Sequence, residues 1–470
     1  MEFPMIKVTQ RTPVGFLLAF VGLSGLGLNG CSDSPAAAPG VTPPGGLGSD
    51  MGAAEPPPTG SDPAVPGSDP STDPDGTGEV PAATDAPLDN SGGATGTDPV
   101  AAGAGGAAAT AGAGGAPAVT PLVPIDCPVA AEVPITIAWD DIADRDAAWY
   151  ATPEALSLAE NVLYYRNESG GWPKNIDMTT RATPRDDEST IDNDGTTEQI
   201  DFLARVYSAT ACSRYGDAAF GGIQYLLDAQ YDNGGWPQVY PNATDYHTHI
   251  TYNDNAMVHV LELLRAVSQR AAPYTFADDA LATTAAAAFQ RGVDVILATQ
   301  IVVDGAKTAW CAQHDEVTLA PAQARTYELP SLSGSEGASL FRFLMTLDNP
   351  SPEVREAVVG AANWFEQVAI RGIRVEATVD ATQETGEDRV VVQDPAAPLL
   401  WARFYELGSN RPIFSSRCEV PECTEDPFFM RRYSLAEIEN ERRVGYSWYG
   451  NWPRQLLATT YPEWRARWIP

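Results

Sequence analysis

Basic side chains are scarce in this chain. Of 470 residues 29 are Lys or Arg, against 62 Asp or Glu, for a formal charge of −33. That imbalance excludes non-specific adhesion to nucleic acid or to anionic membrane surfaces, which requires clustered cations. Histidine is scarcer still, with His247, His249, His259 and His314 the complete set of four. None stands in a Ser/His/Asp or His-Glu-x-x-His setting, and His247 and His249 share a polar loop. The six cysteines lack the spacing of a zinc site. Strand-like β-branched runs are few and short, around Ile135–Ala138 and Val390–Val392.

The shortage of cations is regional. From Ser32 to Thr120 there are 11 acids, no Lys or Arg, and no aromatic residue. A segment with nothing to bury cannot offset its ordering entropy, so a flexible, self-repelling tether is expected over 31–125. Before it, Lys7 and Arg11 precede the apolar run Val14–Leu28 of 15 residues, too short for a span of about 20. Leu28-Asn29-Gly30-Cys31 follows and resembles a bacterial lipobox. The expectation is a leader over 1–30, lipidation of Cys31 as the sole membrane attachment, and a surface-anchored or secreted bacterial protein. The charge divides into +1 for the leader, −11 for the tether and −23 for the rest. Among the remaining cysteines, Cys418 and Cys423 are close enough to pair, and two of Cys127, Cys212 and Cys311 can pair and leave one thiol.

The body, 135–470, is patterned for helices. Apolar stripes of helical period run through Pro153–Tyr165, Thr196–Ala211, Asp217–Ala229, Asn255–Val267, Ala280–Ala298, Glu336–Leu347 and Pro352–Ile370. Thr196 and Gln199 have the spacing of a capping box. Gly-Gly-Trp-Pro ends two of these stripes, at Gly170–Pro173 and Gly234–Pro237, 64 residues apart. Gly445–Pro453 contains a degenerate third copy. A period long enough for two helices predicts a barrel of helical hairpins with loops gathered round one cleft. The tryptophans suit either packing or stacking on sugar faces.

Several strings carry chemistry. Asp192-Asn193-Asp194 precedes a helix and suits calcium, which takes oxygen ligands; Asp and Asn also cap helices. Tyr252-Asn-Asp-Asn-Ala-Met257 repeats the theme, and Asp254 lies 62 residues after Asp192, so both could face one ion. Arg325 stands in a polar loop, Ala324-Arg-Thr-Tyr-Glu-Leu-Pro. Arg403, Arg411 and Arg417 lie among aromatics, a setting that favours carboxylate recognition.

Together, Gly-Gly-Trp-Pro-Lys-Asn, Ile-Asp-Asn-Asp-Gly-Thr-Thr-Glu-Gln, Tyr-Asn-Asp-Asn-Ala-Met, Ala-Arg-Thr-Tyr-Glu-Leu-Pro-Ser-Leu-Ser-Gly, Trp-Ala-Arg-Phe-Tyr-Glu and Asn-Arg-Pro-Ile-Phe resemble the family 10 polysaccharide lyases, the α-helical pectate lyases. The resemblance implies a mainly α, incomplete α/α toroid and calcium-dependent β-elimination of polygalacturonate by a monomer. It implies Arg325 as Brønsted base, Asp192 and Asp254 at the calcium site, and Arg403, Arg417, Arg411, Lys174 and Asn193 at the substrate. Residues Cys418 to Phe429 read as an insertion beside Arg417. The rival readings are a hydrolase on the same barrel, acting through Asp192 and Asp254, and a pectin-binding lipoprotein without catalysis.

Overall fold

The computed structural model describes residues 123–418, 420 and 422–470. The leader, Cys31 and the tether up to residue 122 lie outside the described residues. Seven helices build the body: α1 Pro153–Tyr165, α2 Thr197–Thr210, α3 Ser213–Ala229, α4 Ala256–Gln269, α5 Asp279–Thr299, α6 Glu336–Met345 and α7 Pro352–Gln367. Each follows an apolar stripe expected from the sequence, with ends shifted by a few residues. α2 packs on α3, α4 on α5 and α6 on α7; α2, α4 and α6 also touch in series, as do α1 with α3 and α5 with α7. This is an incomplete α/α toroid, with α2, α4 and α6 forming the inner series. One apolar core runs through all seven helices.

Three of the four outer helices begin with a side-chain cap. Thr152, Asp278 and Ser351 cap α1, α5 and α7 by accepting from Ala155 N, Leu281 N and Val354 N, and Pro occupies the first position of α1 and α7. Outer α3 and inner α2 and α4 have no side-chain cap, while Ser333 Oγ accepts from Ser335 N and Glu336 N at 3.2 and 3.0 Å where α6 begins. Thr196 does not form the expected box. It adopts φ 69°, and its hydroxyl accepts from Trp172 N at 2.9 Å.

Tryptophan closes the outer helices. The indole N–H groups of Trp172, Trp236, Trp310 and Trp401 donate to Val162, Leu226, Ile296 and Phe365 carbonyls at 2.7–2.8 Å. All four carbonyls lie in the last turn of α1, α3, α5 and α7, where intrahelical donors run out. The four rings are fully buried, so packing, not sugar stacking, is their use. The series therefore continues at Trp310 and Trp401. The expected third copy at Gly445–Pro453 is not part of it: Trp452 is half-buried and Trp448 bonds Arg442 O instead.

Short antiparallel pairs stitch the rim: Ile250–Thr251 with Gln313–His314, Leu332–Ser333 with Phe404–Tyr405, and Trp401–Ala402 with Tyr449–Gly450. Val390–Val392 lies in a hairpin of Ile373–Val379 and Glu387–Gln393. Ile135–Ala138 forms no strand; Thr136 N and Oγ1 are taken by Glu154 of α1 at 2.6 and 2.8 Å, so the segment lies on a helix. Disulfides join Cys127 to Cys212 and Cys418 to Cys423, and Cys311 is a buried thiol. No helix among the described residues is long and apolar enough to cross a membrane.

Candidate active site

From three of the four buried tryptophans the chain returns to the rim by the same step. Thr190 N, Thr251 N and Ser333 N donate to the carbonyls of Trp172, Trp236 and Trp310 at 3.1, 3.2 and 2.7 Å. The next residues open α2, α4 and α6. Turns Asp192–Asp194 and Asn253–Asn255 thus stand at uncapped helix N-termini and Glu336 at the start of α6, where the peptide dipoles favour negative charge.

In the first turn Asp192 is buried. Its Oδ2 accepts from Lys174 Nζ at 2.8 Å. Its Oδ1 is buried without a hydrogen-bond donor among the described residues. Asn193 is exposed at φ 46° and bonds Asn175 at 3.1 Å. In the second turn Asp254 has φ 47° and accepts from Asn253 Nδ2 at 2.5 Å. Arg403 reaches it at 3.5 Å and reaches Glu336 at 2.5 Å. Loss of hydration raises Asp254, and Arg403 opposes that shift while Glu336, Asp192 and Glu328 add to it. These influences put Asp192, Asp254 and Arg403 in one electrostatic neighbourhood, as the strings implied.

Arg325 stands opposite, bound to a carboxylate that sequence reasoning did not single out. Buried Glu328 accepts from Arg325 Nε at 3.0 Å, Nη2 at 2.6 Å and N at 3.2 Å, and from the Tyr446 hydroxyl at 2.9 Å. Burial by itself would lower Arg325; its pairing with Glu328 outweighs this and holds the guanidinium firmly protonated. Burial would likewise raise Glu328, and Arg325 keeps it below the ordinary carboxylate range. Beneath them, the buried Tyr327 ring lies 5.1, 5.2 and 4.8 Å from the guanidinium carbons of Arg325, Arg417 and Arg442. Arg417 also meets Glu441 at 3.4 Å. Arg403 lies 4.7 Å over Tyr446, so two tyrosines seat four arginines.

Tyr246 connects the halves. Burial raises its hydroxyl, and the charges of Arg325, Glu328, Lys174 and Asp192 all act on it. Arg411 belongs to another cluster: it stacks 3.6 Å over Tyr433, whose hydroxyl bonds Glu406 at 2.7 Å. The disulfide loop docks beside Arg325, with Cys418 N donating to Thr326 Oγ1 at 3.1 Å. Among the described residues, the trio with His and carboxylate ligand atoms within 4.8 Å of one another is His249, Asp315 and Glu316. There Asp315 Oδ1 already accepts from Val317 N, Thr318 N and Thr318 Oγ1, as a turn does.

Residues 166–457 match the sequence pattern of the pectic acid lyase family. The chain belongs to that family. Two solved structures of a family 10 polysaccharide lyase from Cellvibrio cellulosa resemble this pectic acid lyase, each with 32% identity and a TM-score of 0.58. One is an aspartate-to-alanine mutant in complex with trigalacturonic acid, covering 69% of this chain and 95% of its own. The other covers 69% and 94%. Curated protein sequences gave no match. This pectic acid lyase is a polysaccharide lyase, and its fold is that expected from the six strings. Glu328 and Tyr446 escaped sequence reasoning because each acts as partner to an arginine. Glu328 lies three positions after Arg325, a spacing that could have flagged it.

Proposed function

We propose that this lyase cleaves α-1,4-polygalacturonate by calcium-assisted β-elimination, leaving 4,5-unsaturated oligogalacturonides. The observation that carries the metal reading is Asp192 Oδ1, a buried carboxylate oxygen with no donor among the described residues. A hard oxygen ligand left over in this way fits calcium. Asp192 and Asp254 would hold the ion, with Asn193 at its edge. Bound beside the substrate carboxylate, calcium would make the C5 proton more acidic by drawing charge onto that carboxylate.

The protein's own groups do the rest. Arg403, held by Glu336, and Arg417, held on Tyr327, meet substrate carboxylates, and Lys174 orients Asp192 while facing the same polymer. As base, Arg325 would have to lose its proton to solvent first; it would then take the C5 proton, the C4–C5 double bond would form as the C4–O bond breaks, and the departing oxygen would take a proton from water. Glu328 favours a second role for Arg325: a guanidinium kept protonated in this way stabilises the carbanion by charge while another base takes the proton. Fixed charge of that kind contributes about 10²–10³ in rate.

Incubation with polygalacturonate and calcium, followed by the ultraviolet absorbance of unsaturated ends, tests the reading. Absorbance should rise, and should stop on chelation; a product heavier by one water would identify a hydrolase instead. Arg325→Ala should fold and lose turnover. In Arg325→Lys, a new ionisation near about 10 in the pH–rate profile marks the base role, and its absence marks the charge role. Display at a bacterial surface through Cys31 and the tether belongs to the same proposal.

A further inference from the structure

The two rim turns share an unusual backbone. Asn193 and Asp194 have φ 46° and 60°, and Asp254 and Asn255 have φ 47° and 64°. Successive left-handed residues are disfavoured without glycine, so each turn must be held by contacts outside itself. Aligned by these φ values, Asp192 matches Asn253 and Asn193 matches Asp254. The two carboxylates invoked for calcium therefore come from non-equivalent positions, the first of one turn and the middle of the other. Repetition of the fold cannot set their separation. A link between the turns has to.

Such a link exists. His259 projects from α4, the helix that the second turn begins, and its Nδ1 makes an ion-pair contact with Asp194 of the first turn without the alignment of a hydrogen bond. Behind the pair lies a cavity of about 500 Å³ whose walls include Asp194, Glu198, Asp201, His259 and Glu262. On that side the first turn rests on a side-chain contact and not on close packing. Burial disfavours the His259 cation, Asp194 and Glu262 favour it, Arg342 opposes it, and Glu198 shares the same field.

We propose that His259 is a positioning residue: by holding Asp194 it keeps the Asp192 turn in register with the Asp254 turn, so that both carboxylates reach one divalent cation. The role in calcium binding rests on the function proposed above; the role in holding the turn does not.

The test compares wild type, His259→Ala and His259→Gln, the last able to donate to Asp194. Backbone hydrogen exchange is read at residues 192–196, and calcium affinity by calorimetry. In His259→Ala, exchange in the turn should quicken about tenfold with α4 itself unchanged, since opening tracks the lost contact. His259→Gln should restore most of the protection. Calcium affinity should fall about tenfold in the alanine variant, and turnover should recover as calcium is raised. Unchanged exchange at 192–196, or equal quickening along all of α4, would overturn the positioning role. If His259→Ala fails to fold, Asp194→Asn provides the same comparison from the other partner. A wild type that binds no calcium would sink the calcium reading, while the exchange measurement still decides the positioning role.

Discussion

Asp192-Asn193-Asp194 and Asn253-Asp254-Asn255 are one three-residue turn with acid and amide exchanged at every position. Both follow a strand residue bonded to a buried tryptophan carbonyl, both put their second and third residues at positive φ, and both lead into an uncapped inner helix. The first carries two carboxylates, one bound by Lys174 and one by His259. The second carries one, reached by Arg403. Backbone form here belongs to the repeat, and chemistry to the letters placed on it. Asn and Asp serve equally for the conformation because both tolerate left-handed φ, and that freedom lets each turn specialise.

Turns of one form should rest on equivalent frames. Trp172→Ala and Trp236→Ala should each cost about 3–5 kcal/mol in denaturant unfolding, as expected for a fully buried ring. Costs differing by more than about 2 kcal/mol would show unequal frames. Next in size is the exchange of letters itself. Giving the first turn the amide-acid-amide order of the second takes three changes together, Asp192→Asn, Asn193→Asp and Asp194→Asn. The triple variant should lower kcat by about 10²–10³ with little change in melting temperature.

Acid should separate the turns further. His314 pairs with Ile250 in the strand leading to the second turn, and its Nε2 accepts from Cys311 N at 3.1 Å. Burial pushes this histidine down to about 4. Above about 6.5, the unfolded value, neither state binds the proton and stability is whole. As pH falls from there towards the folded value, only the unfolded chain is protonated, and about 3 kcal/mol is lost. Urea unfolding at neutral and mildly acid pH measures this loss, which His314→Gln should remove. The smallest effect is local. Asn255→Ala should cost about 1 kcal/mol for its left-handed φ, and Asn255→Gly should cost nothing comparable.

The helices were legible because each presents an apolar stripe of helical period. Two hairpin ends were legible through Gly-Gly-Trp-Pro. The others were not, because what the fold needs is an indole beneath a helix C-terminus. At Thr308-Ala309-Trp310-Cys311 and Leu400-Trp401-Ala402 that need is met without the flanking Gly and Pro, whereas Gly445–Pro453 keeps much of the string without the position. In the candidate site, Asp192, Asp254, Arg325 and Arg403 could be picked out because each stands in one of the six strings that carry the resemblance. Glu336 holds Arg403 across 67 residues, and Tyr446 reaches across 118 to Glu328, the carboxylate that binds Arg325. No local pattern records such partners. Thr196 shows the opposite failure: a sound capping pattern was overridden because Trp172 N claimed its hydroxyl.

The N-termini of α2 and α4, which have no side-chain cap, have a thermodynamic consequence. A polyanion laid across them would supply to these two inner helices the acceptors that Thr152, Asp278 and Ser351 supply to α1, α5 and α7. Binding and folding would then draw on the same groups, so ligand would raise the melting temperature by linkage. Catalysis shortens that ligand with every cut. The enzyme's own heat resistance would decline as its substrate is consumed, and a thermal scan would serve as a record of how much polymer remains.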